Sequence, residues 1–128
     1  MDEEHLNSIS AIIVDAAMRV HSVLGPGLLE SAYQACLGAE LEARGLGLQS
    51  QMVLPVVYRD VVLHSGYRID LLVEAEVIVE IKAVSKVAPV HEAQLLSYLR
   101  LSGKRLGLLI NFNVPHLRDG IKRMVNRL

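Results

Sequence analysis

Hydrophobic residues in the first third of the chain recur at the spacing of an α-helix. The first series consists of Ile9, Ile12, Ile13, Ala16, Ala17, Val20 and Leu24. It predicts a helix that has Asn7 or Ser8 as its N-cap and ends at Gly25-Pro26-Gly27. The second series consists of Leu29, Ala32, Tyr33, Cys36, Leu37 and Leu41. It predicts a second helix that begins near Glu30, ends at Gly45 and holds Cys36 in the core.

Apolar segments typical of β-strands follow these two helices. They predict strands over residues 52–58, 61–73 and 77–84. Pro55 marks an edge or a bulge of the first strand. A helix is then predicted over residues 91–101, ended by Gly103, and a strand buried on both faces over 105–112. The last series predicts an amphipathic helix and consists of Leu117, Ile121, Met124, Val125 and Leu128. This order indicates an α/β fold with a central mixed β-sheet flanked by helices.

Charged residues interrupt two of these apolar strands. A three-residue loop over 74–76 would make Val73 face Val77 and Asp70 face Glu80. One face of this hairpin is then apolar and consists of Tyr67, Ile69, Leu71, Val73, Val77, Val79, Ile81 and Ala83. The opposite face consists of Arg68, Asp70, Leu72, Ile78, Glu80 and Lys82.

Two interpretations of the charged face remain open. Like charges placed opposite each other destabilise a sheet, so Asp70 and Glu80 need a compensating cation. In the first interpretation Lys82 supplies it within an exposed charge cluster that contributes roughly 0–1 kcal/mol per pair. In the second the two carboxylates bind Mg²⁺, and Arg68 opposite Lys82 provides positive charge for a phosphate.

Composition limits the class of protein. With 128 residues, 52% of them hydrophobic and 21% charged, the chain is expected to form one domain over residues 1–128. There is no apolar run long enough for a transmembrane helix, and the acidic start does not resemble a signal peptide, so we expect a cytoplasmic protein. Cys36 is the only cysteine, which excludes an intramolecular disulfide and does not support a thiolate metal site. The five histidines show no zinc-ligand spacing.

Charge gives a weak indication about partners. The net charge of −1 argues against a nucleic-acid partner. Basic residues nevertheless concentrate near the end of the chain, as Arg100, Lys104, Arg105, Arg118, Lys122, Arg123 and Arg127. This asymmetry indicates a phosphate-facing side, although a solvated helix face explains much of it equally well.

Five motifs occur in the order of a known family. The run from Gly27 through Glu30 to Tyr33 matches the Gly-x-x-Glu-x-x-Tyr signature of bacterial GxxExxY proteins. The later blocks are Gly66-Tyr-Arg-Ile-Asp70, Val79-Glu80-Ile-Lys82, Gln94-Leu-Leu-Ser-Tyr98 and Gly107-Leu-Leu-Ile-Asn111. The chain therefore resembles the GxxExxY family over about residues 9–125. That family is placed in the PD-(D/E)XK nuclease-like superfamily, and the resemblance implies its restriction-endonuclease-like core, α-β-β-β-α-β.

The resemblance also implies metal-dependent phosphodiester chemistry. Its metal site would hold one or two Mg²⁺ or Mn²⁺ ions through Asp70, Glu80, the Ile81 carbonyl and Glu30. Lys82 would orient or deprotonate the attacking water or stabilise charge on phosphorus. Ile69 replaces the proline of the superfamily's name.

Roles for two further residues follow from the same resemblance. Gln94 and Tyr98 match the Gln-x-x-x-Tyr element of RecB-type nucleases and would steer the lysine, the water or a phosphate oxygen. The alternatives are a helix-start Gln94 and a Tyr98 packed at the core edge, and a Glu30 that only favours the positive helix N-terminus. Asn111 and Arg123 also lie in matching blocks, where structural hydrogen bonding is the expected role.

Three functional hypotheses follow. The leading hypothesis is a small cytoplasmic nuclease that acts on DNA or RNA. The second is a catalytically inactive module of the same fold that binds nucleic acid or a protein, and the third is a structural domain with a salt-bridge cluster. Because so short a chain offers little surface to clamp a duplex, we expect a homodimer or a partner protein.

Overall fold

Helices flank a five-stranded mixed sheet in the computed structural model, which describes residues 2–64 and 66–128. The helices are α1 (Glu3–Leu24), α2 (Glu30–Ala43) and α3 (Pro89–Ser102), with a 3-10 helix at Leu117–Gly120. The strands are β1 (Leu48–Val53), β2 (Val56–Tyr58), β3 (Val61–Leu63), β4 (Arg68–Val73), β5 (Val77–Lys82), β6 (Leu106–Asn111) and β7 (Ile121–Val125). The predicted fold class, α/β with a central mixed sheet flanked by helices, is confirmed.

The sheet has the order β1-β4-β5-β6-β7. β5 and β6 pair in parallel, with α3 as the crossover between them, and the other neighbours pair antiparallel. All residues of β6 are buried, as predicted from its apolar sequence. Among the described residues, no helix has the length and hydropathy that crossing a bilayer requires.

Two hydrophobic clusters lie on opposite faces of the sheet. The first cluster packs α1 and α2 against the sheet and contains residues such as Ile13, Leu37 and Val79. The second cluster packs α3 against the other face and contains Leu95 and Ile78. The sheet is therefore covered on both sides, which explains why its central strands carry so few polar residues.

The predicted first two strands are each divided in the structure. β1 ends at Val53 and β2 begins at Val56, so Pro55 lies between two strands, where its missing N–H removes no ladder hydrogen bond. The predicted strand 61–73 is likewise interrupted between β3 and β4. β2 and β3 pair only with each other and form a separate two-stranded ribbon.

The predicted C-terminal helix is wrong. The chain there forms the 3-10 helix and then β7, which pairs antiparallel with β6. Ile121 packs against the first cluster and Met124 against the second, so the two side chains belong to opposite faces of a strand. Pairing with β7 also satisfies the edge of β6, a tertiary contribution that helical spacing of a short segment does not reveal.

Two expectations about the first helices are also wrong. Asp2, rather than Asn7 or Ser8, is the N-cap of α1, and its carboxylate accepts a hydrogen bond from the His5 N–H at 2.8 Å. The polar first turn continues the helix towards its N-terminus, where acidic residues are favourable. Cys36 is exposed, because it lies beside the buried stripe of α2 and not in it.

The turn between α1 and α2 is fastened by Tyr33. Gly27 has φ +102°, a conformation that favours glycine. The buried Tyr33 hydroxyl donates to the Gly25 carbonyl at 2.5 Å and accepts from the Leu28 N–H at 3.1 Å. The Tyr33 ring stacks on Phe112, with centroids 4.5 Å apart and planes inclined by 9°. This residue therefore fixes where α2 begins.

We predict that Tyr33→Phe lowers the free energy of unfolding by about 1–2 kcal/mol, because two backbone groups lose their partner while the ring remains. Urea denaturation followed by circular dichroism measures this. Tyr58→Phe is the matched control, since the Tyr58 side chain is 67% exposed. Equal effects of both substitutions would contradict the role given to the Tyr33 hydroxyl.

Candidate active site

The β4–β5 hairpin has the predicted loop and register. Val73 pairs with Val77, Leu72 with Ile78, and Leu71 with Val79, where the ladder ends. Asp70 and Glu80 would form the next pair. The expected pair of Arg68 with Lys82 also lies beyond the end of this ladder, and on its other side Arg68 pairs with Val53 of β1.

Strand β4 changes faces at Asp70. Leu71 and Val73 lie in the first cluster, whereas Ile69 lies in the second, so the predicted single apolar face is wrong at Ile69. Strand β1 changes faces in the same way. Leu48, which pairs with Val73, packs against the first cluster, and Met52, which pairs with Ile69, packs against the second. Gln51, between those two residues of β1, has φ +52°, a left-handed conformation that breaks strict alternation.

Asp70 and Glu80 exchange hydrogen bonds across this break. The Asp70 N–H donates to Glu80 Oε2 at 2.8 Å, and the Ile81 N–H donates to Asp70 Oδ2 at 2.8 Å. Each carboxylate thus accepts a backbone N–H of the opposite strand. The two acids are neighbours, as predicted, and side-chain bonds take the place of ladder bonds.

The environment of Glu80 disfavours its charge. Glu80 is 5% exposed, so the interpretation as an exposed charge cluster is wrong for this residue. Burial and the Asp70 carboxylate raise the pKa of Glu80 from 4.5 to about 8, against the opposing effect of the Asp70 N–H and of Lys82. A buried acid beside a second acid is the arrangement that an added cation stabilises.

Two glutamines that were not predicted from the sequence donate hydrogen bonds to Asp70. Gln34 of α2 donates to the Asp70 backbone carbonyl at 3.2 Å. Gln51 donates to Gln34 Oε1 at 2.9 Å and to Asp70 Oδ1 at 3.4 Å. Gln34 follows Glu30 by four residues, so the two share one face of α2, a spacing that predicts the participation of Gln34.

Glu30 and Lys82 lie close enough to influence the charge of Glu80, and Ile81 contacts Asp70. Glu30 is the first residue of α2 and is exposed, and its charge contributes to the raised pKa of Glu80. Lys82 is half-buried on β5, two residues beyond Glu80. The Ile81 N–H points towards Asp70, and the carbonyl of a strand residue points to the same side as its N–H. The Ile81 carbonyl therefore faces the same gap between the strands.

Gln94 and Tyr98 lie one turn apart on α3. Tyr98 is 5% exposed, and burial together with Glu80 and Asp70 raises its pKa. Gln94 lines a groove beside Tyr98. Tyr67, which was predicted in the core, is 43% exposed and meets Tyr98 edge-on, with centroids 6.3 Å apart. The structure thus brings Tyr98 into the electrostatic environment of the acid pair, whereas Gln94 is placed only in the groove beside Tyr98.

The remaining motif residues have separate positions. The Asn111 amide accepts from the Val84 N–H at 3.1 Å and donates to the Val84 carbonyl at 2.9 Å, which agrees with the structural role expected for it. Arg123 lies on β7 and is exposed.

The acid pair fits a hard divalent cation. Within residues 2–64 and 66–128, no three His, Cys, Asp or Glu side chains converge closely enough to hold a metal ion, so Glu30 does not complete a three-carboxylate group. Mg²⁺ commonly takes only one or two carboxylates and keeps its waters. Asp70 and Glu80, with the Ile81 carbonyl on the same side, supply oxygen donors of that kind.

The fold and the site together define a class of protein. The order α2, β1, β4, β5, α3, β6 reproduces the α-β-β-β-α-β core of restriction-endonuclease-like proteins, with Asp70 on its second strand and Glu80 and Lys82 on its third. The model of the PD-(D/E)XK nuclease superfamily matches residues 7–124, and the chain belongs to this superfamily. Comparisons with curated proteins and with solved structures gave no match. Assignment to the GxxExxY family stays a prediction.

We predict that Glu80 makes the protein less stable as the pH rises in metal-free buffer. Its folded-state pKa, about 8, lies above the ordinary 4.5, so the folded protein binds the proton more tightly between these values. Stability therefore falls from pH 4.5 to about pH 8, by at most about 1.4 kcal/mol per pH unit. Glu80→Gln should raise the melting temperature above that of the wild type at pH 8.5, with a gap that shrinks towards pH 5.

Calorimetry in buffer that contains a chelator measures this difference. Glu42→Gln, on the exposed side of α2, is the matched control, and the gap for Glu80→Gln should depend more steeply on pH than the gap for Glu42→Gln. Equal pH dependence of the two gaps would contradict the raised pKa of Glu80.

Proposed function

We propose that this protein is a nuclease that hydrolyses phosphodiester bonds in DNA or RNA with Mg²⁺ or Mn²⁺. The observation that carries the proposal is the pair of carboxylates at the end of the β4–β5 ladder, where Glu80 accepts from the Asp70 N–H and Asp70 accepts from the Ile81 N–H. Membership of the PD-(D/E)XK nuclease superfamily supports it, since nucleases of this superfamily typically use divalent metals.

The residues of the proposed site would have the following roles. Asp70 and Glu80 would hold the ion with the Ile81 carbonyl, and Glu30 would reach it through bound water. When bound, the ion polarises the scissile phosphate and lowers the pKa of a water molecule. The Lys82 ammonium would orient or deprotonate that water, or offset the charge that builds up on phosphorus.

Two residues of α3 would complete the site. Tyr98 lies close enough to Glu80 and Asp70 for their charges to act on its hydroxyl. It would position Lys82 or a phosphate oxygen, and Gln94 would do the same from the adjacent helical turn. Location in the cytoplasm and assembly with a second copy or a partner protein belong to the same proposal.

A second candidate is a nucleic-acid binding module of the same fold without turnover. Both Asp70 carboxylate oxygens already accept hydrogen bonds, from Ile81 and Gln51, and no third acid joins the pair among the described residues. A site of this kind would retain the fold and its binding surface while no longer holding the ion.

We predict that Asp70→Asn and Lys82→Ala each lower the rate of Mg²⁺-dependent cleavage of DNA or RNA by at least about 100-fold while the protein remains folded. Gel assays with single-stranded and duplex substrates measure the rate, and circular dichroism measures folding. Lys86→Ala, on the exposed loop after β5, is the matched lysine control and should cleave normally.

Thermal unfolding of the wild type with and without Mg²⁺ measures binding of the ion. Mg²⁺ should raise the melting temperature of the wild type more at pH 8.5 than at pH 6, because a proton on Glu80 competes with the ion.

Normal cleavage by either site variant, Asp70→Asn or Lys82→Ala, would refute the proposed roles. Nucleic-acid binding without cleavage at any metal concentration would favour the second candidate.

A further inference from the structure

A groove lies on the α3 side of the sheet, between the ribbon of β2 and β3 and helix α3. Its cavity has a volume of about 460 Å³, within the range of roughly 300–1,000 Å³ typical of small-molecule sites. The ribbon contributes Val56 and Leu63 as one wall, and α3 contributes Gln94 and Tyr98 as the other. Tyr67 lies between them. The groove is therefore bounded by the ribbon, by Tyr67 just before β4, and by α3.

The described lining of this groove is mainly apolar and aromatic. Most of its described lining is apolar, none of it is charged, and two tyrosine rings stand in it edge to face. Polar groups are present at only a few points, among them the Gln94 amide and the Ser97 hydroxyl. An aromatic surface with an amide and a hydroxyl beside it suits a flat heterocycle that needs stacking and a few hydrogen bonds at its edge.

Two tyrosines link the groove to the candidate active site. Tyr98 lines the groove and also experiences the charges of Glu80 and Asp70. Tyr67 precedes Asp70 by three residues, which is roughly 10 Å along an extended chain. The Tyr67 carbonyl accepts from the Leu54 N–H at 2.9 Å, so the backbone that carries its ring is fixed to the end of β1. Arg68, between Tyr67 and Asp70, is exposed and can meet a phosphate.

We propose that this groove binds an unstacked base of a single-stranded nucleic acid, with the base against Tyr67 and the adjoining phosphate directed towards Asp70 and Glu80. The inference rests on the proposed function, since it assigns a substrate class to the same site. A base in a duplex is paired and stacked and cannot enter the groove without being extruded, which costs energy. A single strand offers its bases without that cost, so single strands, frayed ends and loops are the preferred substrates.

The experiment measures binding without turnover. Fluorescence anisotropy in a chelator compares three ligands of equal length: oligothymidylate, an abasic strand with the same phosphates, and a duplex. The wild type should bind oligothymidylate at least tenfold more tightly than the abasic strand. Tyr67→Ala should weaken the binding of oligothymidylate by about tenfold, the loss expected for one stacked base, and leave the abasic strand unaffected.

Matched variants separate stacking from other effects. Tyr67→Phe keeps the ring and should bind like the wild type, whereas Tyr67→Leu keeps the apolar contact with Tyr98 and should behave like Tyr67→Ala. Tyr58→Ala removes a tyrosine that is 67% exposed and does not line the groove, and it should change nothing.

The possible outcomes test the base site and the nuclease function separately. Equal binding of the abasic strand, or equal losses in Tyr67→Ala and Tyr58→Ala, would overturn the base site even if the protein cleaves nucleic acid. Tyr67-dependent preference for oligothymidylate together with no cleavage at any metal concentration would support the base site and refute the nuclease. Tight binding of the duplex by the wild type and by Tyr67→Ala alike would overturn the assignment to single strands.

Discussion

The structure depends on one exchange of hydrogen bonds, in which each of two carboxylates accepts a backbone N–H from the opposite strand. Asp70 and Glu80 interact in this way where the β4–β5 ladder stops. The exchange satisfies backbone donors that the interrupted ladder leaves unpaired, and it holds two negative charges close together. Burial makes this combination costly, which is why the pKa of Glu80 rises to about 8. The acid pair therefore lowers the stability of the folded protein.

The surrounding fold keeps that exchange in place. β5 lies in the middle of the sheet between β4 and β6, so Glu80 and Lys82 project from its most constrained strand. α2 reaches the site through Gln34, and its start is set by Tyr33. α3 contributes Tyr98 from the opposite face of the sheet. Side chains from elements on both faces of the sheet thus converge where two strands separate.

Much of this was predictable from local patterns. The three-residue loop fixed the register that makes Asp70 and Glu80 neighbours, and the unbroken apolar run of β6 indicated burial on both faces. Asp2 as the N-cap of α1 and the exposure of Cys36 depend on small shifts in helix limits and helix rotation, which are poorly determined by spacing alone. β7 depends on an available sheet edge, a property of the whole fold.

The face change at Asp70 was not predictable in the same way. Strict alternation places Ile69 with Leu71, and only the left-handed backbone of Gln51 in the neighbouring strand shows why the two separate. For the same reason Tyr67 was expected in the core and is found in a groove.

The change of face of β4 at Asp70 links the chemistry of the proposed nuclease to its choice of substrate. The change of face that directs the Asp70 carboxylate into the gap beside Glu80 also carries the residues before it to the α3 side of the sheet. There Tyr67 meets Tyr98, whose hydroxyl experiences the charge of the acid pair. A regular strand would place Tyr67 in the first cluster and close the groove. The geometry that assembles the acids would therefore also supply the surface for a neighbouring base, so a substrate whose base cannot leave its stack would present its phosphate poorly to the same site.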